Sequence, residues 1–139
     1  MIRYKKAKKQ DLPMLIEYKL LTITPYLKSN QEKLMTISTI NDFVSKNYED
    51  FEIIYYNLKP IGTYLIKNKE LNTLYIKEEY QKEKIWKKII QKIKPEIEQI
   101  KLLKQNQKGL QFFKKYDFHE IKEEKEYLIL RKDDKNENE

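Results

Sequence analysis

The residues best placed to do chemistry lie in one short stretch, EEYQKEKIWKKII, which occupies positions 78–90. Its second half repeats apolar residues at helical spacing, with Ile85, Trp86, Ile89 and Ile90 on one face. The first turn of a helix carries backbone N–H groups that lack intrahelical partners, and such groups bind anions. The stretch therefore predicts an anion site where a strand leads into a helix, although it lacks the glycines that usually let backbone approach a phosphate.

The same region is locally basic. Five lysines and three glutamates fall within residues 77–88, which leaves a net charge of +2. The whole chain of 139 residues holds 29 Lys+Arg against 22 Asp+Glu, a net charge of +7. A positive balance of this size favours an anionic partner, for which nucleic acid, membrane phosphate and a phosphorylated cofactor all qualify.

Composition disfavours several other chemistries. The chain has no cysteine and one histidine, His119, so a zinc site, a Ser–His–Asp triad or a Cys–His pair lacks its residues, and no metal is expected. The first residues lack the apolar centre of a signal peptide, and no run approaches the roughly 18 apolar residues of a membrane span. We therefore expect a cytoplasmic protein with no membrane partner.

The stretch must be held by the elements around it, which periodicity predicts along the whole chain. The expected order is a strand at 2–6, two helices before residue 50, strands at 51–57, 61–67 and 71–77, a helix that stops before Pro95, a strand at 100–104, a helix at 109–116, a strand start near His119 and a strand at 126–132. Ser29 or Asn30 is expected to cap the second helix. Its expected inward-facing residues are Leu34, Ile37, Ile40, Val44 and Tyr48.

This order predicts a single α/β domain over residues 1–132. Three antiparallel strands joined by short turns feed one helical crossover, which implies a mixed, mostly antiparallel sheet flanked by about four helices. The remaining residues, 133–139, carry four acids and one lysine and are predicted to form a disordered acidic tail.

The joint at LYIKEEYQKEKIWKKII (74–90) resembles the acetyl-coenzyme A (acetyl-CoA) binding motif of the GNAT acetyltransferase superfamily. In that family a strand is followed by Gln/Arg-x-x-Gly-x-Gly/Ala at the start of a helix. Gln81 holds the first position, whereas Lys84 and Trp86 replace the two small residues. The motif is therefore a degenerate one.

Other stretches resemble the same family in the same order. IRYKKAKKQDLPMLIEYK (2–19) is similar to the first strand and helix, and PIGTYLI (60–66) to the third strand, with Gly62 in place. KLLKQNQKGLQFFKKYDFHEI (101–121) resembles the pattern Asn-x-x-Ala-x-x-Phe-Tyr-x-x-x-Gly-Phe. Asn106, Gly109, Phe112 and Phe118 fit this pattern, while Phe113 replaces the usual Tyr and Asp117 the usual Gly.

The resemblance implies an N-acetyltransferase that uses acetyl-CoA as co-substrate, with a primary amine attacking the thioester directly. It also implies where the cofactor contacts lie. Backbone donors at the end of the fourth strand would be Tyr75, Ile76 and Lys77. The pyrophosphate would be held by Gln81, Lys82, Glu83, Lys84, Ile85, Trp86 and Lys87. Asn106 would either contact CoA or simply cap a helix.

The departures from the family pattern leave two alternatives. If the turn before the helix keeps negative φ throughout, it needs no glycine, and its lysines add charge for the phosphates. If instead the bulk of Lys84 or Trp86 fills the crevice, CoA binds weakly or not at all; Trp86 could also be a core residue. Because Phe113 cannot act as an acid, Tyr116 is the candidate to protonate the leaving thiolate, with simple packing as its alternative.

Three functions follow. The first is acetyl transfer to a small-molecule amine or a protein amino group. The second is a catalytically impaired relative that binds CoA or a partner. The third is a basic nucleic-acid-binding domain, which is disfavoured because no recognised nucleic-acid motif accompanies the lysines. The sequence does not indicate the acceptor, the general base or the oligomeric state.

Overall fold

The computed structural model describes residues 1–133, which form seven strands and four α-helices. The strands are β1 (Ile2–Lys6), β2 (Phe51–Tyr56), β3 (Lys59–Lys67), β4 (Glu70–Ile76), β5 (Gln99–Leu103), β6 (Phe118–Glu124) and β7 (Tyr127–Lys132). The helices are α1 (Leu12–Ile23), α2 (Asn30–Asn47), α3 (Glu83–Ile93) and α4 (Gln107–Lys115). Short 3-10 turns precede or follow several of them, including one at Glu78–Tyr80.

All seven strands belong to one sheet, in the order β1-β2-β3-β4-β5-β7-β6. Every neighbouring pair is antiparallel except β4 and β5, which run parallel. These two strands pair at only two positions, Glu70 with Gln99 and Leu71 with Ile100. The predicted mixed, mostly antiparallel sheet with four helices is confirmed, and the short parallel pairing leaves an opening near the middle of the sheet.

The helices cover both faces of the sheet because each has an apolar stripe. On one face, α3 buries Ile89 and Ile93 and α4 buries Phe113 against strand residues. On the other, Leu15 of α1 and Val44 of α2 are fully buried in a second cluster. Successive side chains along a strand point to opposite faces of the sheet, so apolar strand residues pack alternately into the two clusters. The sheet therefore separates the two apolar clusters, and the opening between β4 and β5 lies between them.

Some expectations for individual residues need correction. Ser29 caps α2 as predicted, since its Oγ accepts a hydrogen bond from the Glu32 N–H at 3.0 Å. Leu34 and Ile37, expected inside, are 68% and 39% exposed, whereas Ile40 and Val44 are buried, so the second half of α2 is the part that packs into the core. The predicted tail, 133–139, lies outside the described residues except for Asp133, whose backbone N–H donates to the Asp117 carbonyl at 2.8 Å.

The β2–β3 hairpin offers a test of local strain. Its turn residues Asn57 and Leu58 both have positive φ, 48° and 77°, and Leu58 is 85% exposed. A left-handed conformation costs a residue with a Cβ about 1 kcal/mol, whereas glycine adopts it freely. Leu58→Gly is therefore expected to raise the free energy of unfolding by about 1 kcal/mol, measured by urea denaturation. Leu58→Ala removes the same exposed side chain but keeps the Cβ, and an equal gain there would contradict this explanation.

Candidate active site

The opening between β4 and β5 contains a cavity of about 380 Å³. Trp86 of α3 and Phe112 of α4 line it from one face of the sheet. Lys19 of α1 and Tyr26, which follows that helix, line it from the other. Side chains from both faces of the sheet therefore share one cavity, which has room for groups presented by the α3–α4 face and by the α1–α2 face.

The open edge of β4 presents backbone groups to this cavity. The Lys77 N–H donates to Ile61 of β3 at 2.8 Å, so alternation along the strand turns the backbone groups of Ile76 and Leu74 away from β3, toward the opening. The Ile76 carbonyl accepts from Gln81 Nε2 at 2.7 Å. The backbone N–H groups of Leu74 and Ile76 are therefore positioned as donors to an anion in the opening.

The cavity starts earlier along β4 than the sequence predicts. Opposite Leu65 and Ile66 of β3 lie Thr73 and Leu71, so Asn72 is an extra, bulged residue in β4. Residues 71–74 line the cavity, whereas the predicted Tyr75, Ile76 and Lys77 do not. The Lys77 N–H is also already paired. Of these three, only Ile76 has backbone groups that face the opening.

Only some of the predicted phosphate donors are free, because the backbone N–H groups of Gln81 and Lys82 donate to the carbonyls of Glu78 and Tyr80 just before α3. The first intrahelical hydrogen bond of α3 runs from the Trp86 N–H to the Lys82 carbonyl at 2.9 Å, so the N–H groups of Glu83, Lys84 and Ile85 precede the helical ladder. No residue in this turn has positive φ, which confirms that it forms without glycine. An anion at this position would be bound by the free backbone N–H groups of the first helical turn, and the helix dipole would add to the attraction.

Trp86 forms a wall of the cavity and does not close it. Its ring is half-buried and lies 4.7 Å from the Phe112 ring, between α3 and α4. Lys84 is exposed and does not line the cavity. Neither side chain fills the opening. Among the other residues predicted to hold the pyrophosphate, Gln81 lines the cavity, while Lys82, Glu83, Ile85 and Lys87 lie outside it.

Asn106 caps α4 and also lines the cavity. Its Oδ1 accepts from the Gly109 N–H at 2.8 Å. A Cβ on Gly109 would lie 2.6 Å from Asn106 Nδ2, so a glycine at 109 makes room for this cap. Asn106 is therefore a helix cap, as one of the two alternatives for it predicted. Its place in the cavity lining also permits contact with a ligand.

Tyr116, the predicted acid, is not brought to the cavity. Its ring packs against Phe112 at 5.0 Å, at the end of α4, and it does not line the opening. Phe113, which stands where the family has a tyrosine, is buried and lines the cavity. Two other tyrosines, Tyr26 and Tyr127, do line the cavity, and burial raises the pKa of Tyr26.

Several residues of the cavity lining were not predicted from the sequence, and Lys19 is the one with the most contacts to describe. Its Nζ donates to Thr73 Oγ1 at 2.6 Å and to Asn72 Oδ1 at 3.0 Å. Burial, and to a lesser extent the charge of Lys101, lowers the pKa of Lys19 to about 8. A signal was present, because Lys19 lies four residues after Leu15, on the apolar face of α1.

The cavity is electropositive. Three lysines line it, Lys19, Lys101 and Lys108, and its lining within residues 1–133 contains no Asp, Glu or His. Such a lining stabilises negative charge that develops on a reacting oxygen. It also lowers the pKa of an ammonium bound nearby, because like charges disfavour the protonated form.

The sheet order, the parallel pair that separates and the helix that starts beside the open strand together define the GNAT acetyltransferase fold. The chain belongs to the acetyltransferase (GNAT) domain family, which it matches over residues 28–128. The family predicted from the sequence is confirmed. No curated protein sequence matches the chain.

Solved structures with low sequence identity share this fold. The PaiA N-acetyltransferase of Thermoplasma acidophilum, in complex with coenzyme A, is 24% identical with a TM-score of 0.64, over 96% of this chain and 99% of that one. Apo YjaB of Escherichia coli is 15% identical with a TM-score of 0.74, over 94% and 95%. Arabidopsis thaliana Naa50, in complex with the bisubstrate analogue CoA-Ac-MVNAL, is 13% identical with a TM-score of 0.62, over 94% and 97%.

Two further features concern the described residues alone. Among residues 1–133, none of the helices is both long and apolar enough to cross a lipid bilayer. The same residues contain no group of three or more His, Cys, Asp or Glu side chains arranged to hold a metal ion.

Proposed function

We propose that this protein is an N-acetyltransferase that transfers the acetyl group of acetyl-CoA to a primary amine inside the opening between β4 and β5. The observation that carries the proposal is the separation of these strands after two paired positions, which leaves a cavity lined by side chains from both faces of the sheet. The proposed setting is the cytoplasm. The acceptor is a small-molecule amine or a protein amino group.

In the proposed reaction the neutral amine nitrogen attacks the thioester carbonyl carbon, the C–S bond breaks, and CoA leaves as its thiolate while the nitrogen loses a proton. The N–H groups of Leu74 and Ile76 face the opening and stabilise the oxygen that becomes negative. Lys19 and Lys101 add positive charge to the same space. They also favour the neutral form of the attacking amine, so deprotonation by solvent is promoted without a carboxylate base.

The leaving group makes a modest demand on the protein. A thiol has a reference pKa near 8.5, so its thiolate leaves without obligatory protonation near neutral pH. The role predicted for Tyr116 as an acid has no support in its position. Tyr26 lies in the cavity lining and is therefore better placed than Tyr116 to donate a proton.

Isothermal titration calorimetry with acetyl-CoA, followed by thiol release in the presence of a panel of amines, tests the proposal. Micromolar binding with amine-dependent release of CoA is the expected result. Absence of acetyl-CoA binding to the folded protein would overturn it, because the proposed cavity would then have no co-substrate.

The second candidate is a CoA-binding protein that does not catalyse transfer. Two observations favour it. The cavity lining contains no carboxylate or histidine among the described residues, and Tyr116 does not line the cavity. Acetyl-CoA binding without release of thiol for any amine in the panel would support this candidate over the enzyme.

The phosphates of the co-substrate are expected to lie at the start of α3. Lys82→Glu combined with Lys84→Glu reverses two exposed charges there, and we expect the Kd for acetyl-CoA to rise about tenfold. The measurement is calorimetric titration at low and high salt. Lys5→Glu with Lys6→Glu changes the net charge equally on exposed positions of the edge strand β1 and serves as the control. Equal losses in both double variants would show a general charge effect and no phosphate site at α3.

A further inference from the structure

We propose that the acceptor is a small amino-carboxylate, a primary amine that carries a carboxylate within a few bonds of its nitrogen, bound through Lys19 and Lys101. This inference rests on the proposed acetyltransferase function and names the class of its second substrate. It follows from an unfilled donor, an uncompensated pair of charges and the face of the sheet on which both lysines lie.

Lys19 has a hydrogen-bond donor to spare. An ammonium group has three N–H donors. Two of those on Lys19 are accounted for by Thr73 Oγ1 and Asn72 Oδ1, both on β4. These acceptors hold the Nζ atom at the cavity wall, 5.4 Å from the centre of the Phe43 ring, and among residues 1–133 its third N–H has no oxygen acceptor.

Lys101 adds a second positive charge on the same side of the sheet. Its neighbours on β5, Ile100 and Leu102, pack into the α3–α4 core, so alternation turns Lys101 toward the α1–α2 face, where Lys19 lies. Its Nζ lies 4.4 Å from the centre of the Tyr127 ring. Within residues 1–133, neither lysine forms an ion pair with an Asp or Glu.

A carboxylate from the substrate supplies the missing counter-charge. Partly buried cations without a partner are costly, and the two lysines also repel each other. Burial first, and then the charge of Lys101, lowers the pKa of Lys19, and the rings of Phe43 and Tyr127 beside the two lysines carry no full negative charge. A bound carboxylate relieves the repulsion and forms charge-assisted hydrogen bonds, which are stronger than neutral ones.

The same lining discriminates against other amines. A diamine or polyamine brings a second ammonium close to Lys19 and Lys101, where no acidic side chain of residues 1–133 lines the cavity to receive it. A simple alkylamine gains no charge compensation. A peptide N-terminus has an amide where an amino acid has its carboxylate. Of these acceptors, an amino-carboxylate alone combines the nucleophile with a negative charge, which the cavity lining within residues 1–133 lacks.

Acceptors matched in length test the inference. Thiol release is measured with 4-aminobutyrate, butylamine, 1,4-diaminobutane and a short neutral peptide, together with glycine as a shorter amino-carboxylate. We expect kcat/KM for the better amino-carboxylate to exceed that for every other acceptor at least tenfold. A higher kcat/KM for the alkylamine, the diamine or the peptide would overturn the inference and leave acetyl transfer standing.

Variants at Lys101 connect the preference to the proposed residues. Lys101→Met is expected to reduce the preference for the amino-carboxylate over butylamine about tenfold, with the Kd for acetyl-CoA within twofold of the original. Lys101→Arg retains the charge and is expected to restore most of the preference. Lys104→Met, at a nearby lysine that does not line the cavity and pairs with Glu123, is the matched control.

Calorimetry of the CoA complex separates this inference from the proposed function. Titration of the protein saturated with CoA should show binding of the amino-carboxylate and weaker or no binding of butylamine, whether or not turnover occurs. If acetyl-CoA itself does not bind, the proposed function fails. If CoA binds and the amino-carboxylate does not, only the acceptor assignment is wrong.

Discussion

Gly62→Ala is expected to lower the free energy of unfolding by about 3 kcal/mol or more. A Cβ at this position would lie 2.0 Å from the Tyr75 carbonyl oxygen and 3.0 Å from the Ile76 Cα. Both atoms belong to the backbone of β4, which is paired with β3 along its length, so neither can move without disturbing the ladder. The expected loss is a large part of the 5–15 kcal/mol that typically stabilises a domain.

Urea denaturation followed by circular dichroism measures this loss, and the other glycine of the chain provides the control. At Gly109 a Cβ would approach the end of the Asn106 side chain at 2.6 Å, and a side chain can rotate away. Alanine also favours the helical conformation by about 1 kcal/mol. Gly109→Ala is therefore expected to change stability by no more than about 1 kcal/mol. Similar stabilities for the two variants would show that β3 and β4 do not approach as closely as described.

The sequence predicted this part of the fold well because its signals are local. The runs that become β2, β3 and β4 are separated by turns of two residues each, which leave antiparallel pairing as the simple outcome. Asp117, where the family pattern has glycine, has a φ of 73°, which explains that pattern. Its carboxylate lies 3.3 Å from Lys94 Nζ, an ion pair that glycine cannot form.

The site was predicted less well because its position depends on contacts between distant residues. The bulge at Asn72 changes the register of β3 and β4 and places the cavity beside residues 71–74. Nothing in the alternation of the fourth strand marks where β5 will separate from it. Spacing alone likewise relates Tyr116 to Phe112 on one helix face, but it does not tell which of the two reaches the cavity.

Lys19 illustrates the same limit and adds a physical consequence. In the sequence of α1, Lys19 lies among apolar residues of one helix face. A long lysine side chain at such a position usually extends along the apolar surface and places its charge in water, so the sequence alone gives it no special role. Only the folded chain shows that Asn72 and Thr73 receive its Nζ beside Lys101. A cation held in this way opposes folding, as residues selected for activity often do.

Lys19→Met is therefore expected to stabilise the protein at pH 7 while impairing acetyl transfer. The pKa of Lys19 falls from its ordinary value of 10.5 to about 8 in the folded protein. At about 1.4 kcal/mol for each pKa unit, the folded state disfavours the charged amine by roughly 3 kcal/mol. The lost hydrogen bonds offset part of this gain, although Thr73 Oγ1 and Asn72 Oδ1 retain each other at 2.9 Å. A net gain of about 2 kcal/mol is expected.

The pH dependence distinguishes this cause from better packing by methionine. Between pH 8 and pH 10.5 the unfolded chain binds a proton at Lys19 that the folded protein has released, so the stability of the original protein rises with pH across this window. Lys19→Met lacks this term, so the difference in stability between the two proteins should be largest below pH 8 and should shrink toward pH 10. Lys108→Met, at an exposed lysine of the same cavity, should change stability by no more than about 0.5 kcal/mol at any pH in this range. A stability gain for Lys19→Met that stays constant from pH 7 to pH 10 would show that the charge of Lys19 is not what opposes folding.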